Sequence, residues 1–597
     1  MGRVKYLQKR WLIFAKRIKK RLGIPGTVLW LSLFTGIFGG TIAIILKNLL
    51  HFTTSMLGHA FPYAQVNYLY LAFPLAGIVL TSLYVSRVVN DNLSHGVSIA
   101  LKSMCVKGGR LKRHNMYSSM IASSITVGFG GSVGLEAPIV LTGSAVGSNL
   151  ARFFDLTPKY TRLLLACGAT AALAAIFKAP VAGMVFAVEV LMLDLTATAV
   201  LPLLVSAATG TVLSLLFLGE DVMFRVTTTA SFELTNIPFY VIAGALAGLL
   251  SVYFLRVSRW VENLCRRVNR LWVKSLTGGV LLGGLILIFP VFYGEGYESI
   301  KSLIENNPVS LFSQSPLFGL LEAHRWLLPI LLAAVILLKV IAATLTTGSG
   351  GVGGLFAPSL FVGAFFGFTI AYLVNTYGGG HLPVANFTLA GMAGVMTGVM
   401  HAPLTGIFLI AELSSGYTLL IPLMITASLS YLTVRRFEAY SVYTKPLADK
   451  GMLLTHNKDK FALQRINWKS MIDKDISTIS ITATLREYTK IIAVSKRNLF
   501  VVLDKENLFA GLLVMDEHRE ILFRPELYDL VRVKDLMIEP SVFVYNTDSG
   551  EDIIRKFRET NNFNMPVITH ARRYIGFISK AKMLSAYKDF IASESED

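Results

Sequence analysis

Nine residues from Gly130 to Pro138, reading G-G-S-V-G-L-E-A-P, return as G-G-V-G-G-L-F-A-P from Gly350 to Pro358. Both leading glycines, the fifth-position Gly, the Leu and the closing Ala-Pro are kept, and Phe356 stands where Glu136 stood. A second phrase repeats in step: F-K-A-P-V-A-G-M-V-F-A-V-E-V from Phe177, and M-H-A-P-L-T-G-I-F-L-I-A-E-L from Met400. Gly-interrupted apolar phrases in corresponding places of two halves mark a membrane fold with internal repeats, whose broken helices meet at a midplane site. Close packing of small residues alone would explain the glycines, but not two phrases recurring in the same order.

Composition agrees with a bilayer as solvent. Hydrophobic residues make up 53% of the 597 and charged residues only 16%, the profile of a polytopic membrane protein. An ionisable side chain in that setting costs at least ~2.5 kcal/mol, so Glu136 is a functional candidate facing a polar cavity. The glycines before it let the chain turn tightly. The first amides of the following apolar run, Ile139 to Leu150, have no partner within a helix and can be aimed at an anion. An anion site with a carboxylate beside it results; a structural carboxylate at a helix start is the competing reading. The net charge of +19 falls between apolar spans, which makes it an orientation signal and argues against nucleic acid as a partner. Cys105, Cys167 and Cys265 are too scattered for a redox or metal pair and read as packing residues. No nucleophile-base pair, metal-ligand cluster or phosphate loop points to an enzyme, and no cleavable signal peptide is visible.

Residues 1–24 carry nine Lys and Arg and no acid, interleaved with Trp11, Leu12, Ile13 and Phe14, and read as an amphipathic helix on an anionic leaflet, hence cytoplasmic. The membrane domain is assigned to 25–444, with repeats at about 68–217 and 276–433. Basic loops at Lys102–Arg113 and Arg256–Lys274 and the pair Arg435-Arg436 read as cytoplasmic, and the polar segment Gly294–His324 suits the other face. Beyond Lys445 the composition turns soluble. After a linker at 445–465, two units at 466–532 and 533–597 each show a helical stretch (Leu485–Val494; Glu551–Thr560) and a strand, charged turn and Gly-containing strand (Phe500–Leu503 and Ala510–Val514; Met565–Ile568 and Ile575–Ser579).

With these residues in view, nearly the whole chain resembles the CLC family of chloride channels and proton-coupled chloride transporters, followed by a tandem pair of CBS modules. Gly134-Leu135-Glu136-Ala137-Pro138 resembles the family's G-R-E-G-P, whose Glu is the gate. Gly354 to Pro358 resembles G-I-F-A-P, whose amides line the anion site. Phe177 to Glu189 resembles F-x-A-P-x-x-G ending in an acid, and Ser441-Val442-Tyr443 the final helix segment whose Tyr touches the central anion. The resemblance implies an all-α polytopic membrane protein with inverted repeats and a C-terminal α/β CBS pair, in a homodimer at the plasma (inner) membrane. It implies transport of chloride and other monovalent anions, with Glu136 as gate and Gly134, Leu355, Phe356, Tyr443, His95, Gly96 and Val97 at the anion. As a carboxylate Glu136 competes with chloride for helix-start amides; protonated, it swings aside.

Three departures from the family's phrases bear on mechanism. The G-S-G-I-P phrase is matched by Ser94-His95-Gly96-Val97-Ser98, so either the His95 ring donates to the anion or it turns away and only the Gly96 and Val97 amides remain. Val190 follows Glu189 where proton-coupled members carry a second acid, which tilts the expectation to passive or weakly coupled conduction over tight H+/Cl- exchange. Glu189 and its partner Glu412 read as structural acids. Leu135 replaces the Arg beside the gate, removing positive potential that Lys178 either restores elsewhere or, by snorkelling, does not. In the CBS pair, Val514-Met515-Asp516 and Ser579-Lys580-Ala581 each keep only part of the ribose-contacting feature, leaving packing and gating as the favoured role and an adenine nucleotide at Asp516 and Ser579 as the alternative. A membrane-anchored nucleotide sensor with a vestigial pore is the rival from another class.

Overall fold

The computed structural model describes residues 2–60, 69–194, 196–220, 224, 232–414, 416–453, 467–560 and 562–595, with side chains of the first helix from 20 to 57. Two compact units divide between Leu453 and Leu454.

The first unit is helical. Its opening helix, Gly2–Ala60, is two segments joined at Gly23, whose φ of 67° breaks the run just before Pro25. The side chains of the basic stretch, Arg3 to Lys19, lie outside the described residues. Eight helices of the described chain are long and apolar enough to cross a bilayer. The phrases that repeat in sequence sit at breaks between helices, as broken spans require.

The two halves share one construction. Glu136–Phe153 packs on Pro158–Phe177, and Phe356–Tyr377 on Val384–Met400. The first pair touches backbone to backbone: a Cβ on Gly143 would meet the Gly168 carbonyl, and one on Gly168 the Gly143 carbonyl. After the F-K-A-P and M-H-A-P turns come Pro180–Glu189 and Pro403–Leu413, each opened by its proline at the first helical position, where the missing N–H has nothing to bond. The apolar stretches at 117–150, 160–217 and 387–433, too long in the sequence for one crossing and expected to hold two helices or broken ones, each hold two helices or more.

The second unit holds two three-stranded sheets of identical order. Strands β1 (Thr478–Ser480), β2 (Leu499–Leu503) and β3 (Phe509–Val514) form one, and β4 (Val544–Tyr545), β5 (Asn564–Ile568) and β6 (Tyr574–Ser579) the other. In each the first pair is parallel and the second antiparallel. The sheets also share an irregularity: register slips at Val502/Leu503 opposite Gly511, and at Val567/Ile568 opposite Gly576. Helices Leu485–Val494 and Gly550–Thr560 connect the parallel strands. These are the two α/β modules expected from the sequence; the short edge strands β1 and β4 were not. The predicted linker falls largely on 454–466, outside the described residues.

Candidate functional site

The two nine-residue phrases meet. Gly134 N–H donates to the Gly354 carbonyl at 3.0 Å, and Gly354 N–H returns to the Gly134 carbonyl at 2.8 Å. Around this bridge two further pairs of bonds match between the halves. Gly131 N–H reaches Thr126 O and Gly351 N–H reaches Thr346 O, at 2.8 and 3.0 Å. The Thr346 hydroxyl accepts from Ser132 N–H across the interface at 3.2 Å, and the Thr126 hydroxyl from Val352 N–H at 3.0 Å. A two-fold relation between the halves produces this pairing, and it points two helix starts, at Glu136 and Phe356, into one buried place.

The acids of the second phrase brace the same symmetry. Glu189 accepts from Leu404 N–H at 2.9 Å and from Thr405 N–H and hydroxyl at 2.7 Å. Glu412 accepts from Val181 and Ala182 N–H at 3.1 and 2.9 Å. Each acid ends its own helix and caps the other half's, so both are structural acids, as read from the sequence. Such charge-assisted bonds to otherwise orphaned amides are the strong kind.

At the bridge itself Glu136 is 2% exposed. Its Oε1 accepts from the Tyr297 hydroxyl at 2.5 Å. Its Oε2 has no hydrogen-bond partner among the described residues, although the Glu136 and Ala357 amides face the carboxylate. The side chain folds back over Gly134, where a Cβ would collide with Oε2. That fixes the role of Gly134 as room rather than as a donor: its amide is already spent on Gly354, which corrects the expectation that it binds the anion. Leu355 precedes the second helix start, and Phe356, its first residue, stacks on Phe177 of the F-K-A-P turn at 5.5 Å.

Tyr443 is buried, its hydroxyl has no partner among the described residues, and it lies within electrostatic reach of Glu136. It stands in the turn before the short helix Lys445–Ala448 and not in a helix, contrary to expectation. Ser98 holds it there by donating to the Tyr443 carbonyl at 3.0 Å. The helix Gly96–Val106 abuts the gate helix, since a Cβ on Gly96 would meet the Ala137 carbonyl. The Gly96 and Val97 amides thus start a third helix beside the two of the bridge. The Tyr443 hydroxyl, without a partner among the described residues, and the starts of three helices share this interior with the Glu136 carboxylate; hydroxyl and helix-start amides are donors of the kind a weakly held anion needs.

Other predicted residues lie apart. The His95 ring pairs through Nε2 with Glu262 Oε1 at 3.0 Å, and Arg266 donates to the same carboxylate at 2.6 Å, an arrangement that favours the reading in which only the Gly96 and Val97 amides remain for an anion. Val190 closes its helix in the apolar core. Lys178 donates to the Leu218 and Gly219 carbonyls at 3.4 and 2.7 Å, so it ends a helix and does not replace the missing Arg. In the soluble unit Asp516 pairs with Arg519 at 2.9 Å, and Ser579 ends β6 opposite Asn564. Sequence reasoning missed three residues around the Glu136 helix start. Tyr297 holds Glu136. Glu295 accepts from Leu135 N–H at 3.2 Å. Lys339, fully buried, donates to Ser132 Oγ at 2.8 Å and lies 4.5 Å over the Phe361 ring. A lysine inside an apolar span is itself the signal that could have found it.

A membrane-spanning helical protein of two inverted halves, with a carboxylate at one of the facing helix starts, is the class this geometry defines. The sequence model described as "Voltage gated chloride channel" matches residues 77–435, more than half the chain, and that described as "CBS domain" matches 533–589. The chain belongs to the voltage-gated chloride channel, or CLC, family, whose members are transporters or channels. It is 28% identical over 384 residues to the putative chloride channel protein ClcB-like of Ralstonia nicotianae, covering 63% of this chain and 85% of that one. It is 26% identical over 450 residues to the H(+)/Cl(-) exchange transporter ClcA of Vibrio cholerae, covering 71% and 89%. The structure of a eukaryotic CLC transporter superposes with a TM-score of 0.59 at 16% identity, over 93% of this chain and 97% of that one, and supports the fold through both CBS modules.

Proposed function

We propose that this chain passes chloride and related monovalent anions through a pathway gated by Glu136, passively or with weak proton coupling. The buried Glu136 carboxylate, folded over Gly134 onto helix-start amides with one oxygen unpartnered, carries this reading. As an anion it occupies donors that chloride needs; protonation removes its claim on them. Leu355, Phe356, Gly96 and Val97 contribute amides and Tyr443 its hydroxyl. N-terminus and CBS modules face the cytoplasm, and the chain works as a homodimer in the plasma (inner) membrane. The CBS pair serves packing and gating, with an adenine nucleotide at Asp516 and Ser579 as the alternative.

Tight H+/Cl- exchange is the second reading, favoured by the relative named as an exchanger. Against it stands Val190, where a proton crossing apolar surroundings finds no titratable group. The test is a chloride gradient imposed on liposomes holding the purified protein, with internal pH recorded. Chloride efflux that cannot drive protons uphill supports the first reading. Proton movement in fixed proportion to chloride, abolished by Glu136→Gln, overturns it in favour of exchange.

A further inference from the structure

The mechanism so far uses one carboxylate, yet two reach the same helix start. Glu295 lies in the turn Y-G-E-G-Y between Pro290–Phe292 and the helix Tyr297–Ile304. Its Oε1 takes the N–H of Leu135, the residue immediately before the gate. Glu136 is buried, and Glu295 is half-buried as a residue. Tyr297, two residues on, bonds the gate from the same short helix. The charged and titratable groups facing Glu295 are Glu136 from the gate helix, Tyr297 from its own segment, Lys47 from the opening helix and Lys339 from Leu328–Gly348.

This arrangement divides the amides at the helix start between two anionic side chains. The Glu136 carboxylate faces those of Glu136 and Ala357, and Glu295 accepts from that of Leu135. An anion reaching this point must take donors from both. Two carboxylates this close do not ionise independently, because each charge disfavours the other. Lys339, bonded to Ser132, and Lys47 are the basic groups that face the pair.

We propose that Glu295 is a second gate of this pathway: its carboxylate occupies the Leu135 amide that an anion would otherwise take, and releases it on accepting a proton from water. The inference rests on the anion-pathway reading of the preceding subsection. It makes opening a two-proton event. The negative charge that either carboxylate loses eases protonation of the other and approach of chloride.

The test uses the full-length protein in liposomes, with chloride efflux measured against pH for the parent, Glu295→Gln, Glu295→Ala and the exposed control Glu298→Gln. Parent flux is expected to rise with acid with the steepness of two protons. Glu295→Gln and Glu295→Ala are expected to pass chloride about tenfold faster at neutral pH, the fold-change of one lost charge-assisted competitor, with the steepness of one proton. Glu298→Gln is expected to match the parent. A second measurement does not depend on the Glu295 variants folding: calorimetric proton uptake on chloride binding to the parent and to Glu136→Gln in detergent. Residual uptake in Glu136→Gln supports the inference. Uptake of a single proton by the parent, wholly lost in Glu136→Gln, overturns it, as do Glu295 variants with the parent's pH curve. Absence of flux and of chloride binding in the folded parent would instead remove the anion-pathway reading itself.

Discussion

The helix starts at Glu136 and Phe356 are built on the same scaffold and hold opposite chemistry. Each follows a G-G phrase, each is pinned by the Gly134–Gly354 bridge, and each leans on a threonine from the other half. One then places a carboxylate beside Tyr297 and Glu295, with Lys339 bonded to Ser132 in the same phrase; the other places a phenyl ring against Phe177. The symmetry serves position, and its local breaking serves function. A duplicated fold delivers two helix starts to one place cheaply, and a pathway with a switch needs only one of them to carry charge.

The largest effect expected from disturbing this scaffold is on stability. Glu189 satisfies three donors and Glu412 two. Glu189→Ala should therefore cost about 2 kcal/mol and Glu412→Ala about 1 kcal/mol, since each leaves orphaned donors at a half-buried helix start. Thermal unfolding in detergent ranks them; equal losses would show that the halves are braced alike.

Next in size is Lys339→Met. A unit charge roughly 10 Å from a bound anion at an effective dielectric of about 20 contributes ~1.7 kcal/mol. Chloride affinity measured by calorimetry should fall about twentyfold, while the equally apolar Phe361→Leu beside it leaves affinity within about twofold. The smallest contrast sets the paired glycines against each other. Gly134→Ala drives a methyl into the Glu136 carboxylate and should raise chloride flux at neutral pH about tenfold at most. Gly354→Ala meets Ala137 Cβ at 2.8 Å, which disturbs packing without displacing the gate, so flux per folded protein should stay near the parent's. Equal behaviour of the two would mean that the folded-back carboxylate is not what closes the pathway.

The scaffold was legible in the sequence because its chemistry is local. Helix-start amides, a glycine turn and a carboxylate fit into nine residues, so one repeated phrase is enough to show them, and the α/β alternation of the CBS pair is equally short-ranged. The gate's company was not legible, because it comes from elsewhere in the chain. Glu295 sits in a stretch that hydropathy reads as a polar surface segment, and Lys339 is one charge in a run whose average remains strongly apolar. His95 shows the same limit from the other side. Its place in the phrase put it at the anion, but a carboxylate on a helix 167 residues away takes its ring. Gly134 kept its position and changed its role, since only the assembled halves reveal that its amide is spent on Gly354.

Chloride efflux from liposomes, compared between the parent and Glu136→Gln across a range of pH, tests the central claim most directly. The account predicts parent flux that rises as pH falls, and a variant that is already fast at neutral pH and keeps only the shallow acid response assigned to Glu295. A Glu136→Gln protein with the parent's rate and pH curve would contradict it, and so would folded parent protein that passes no chloride.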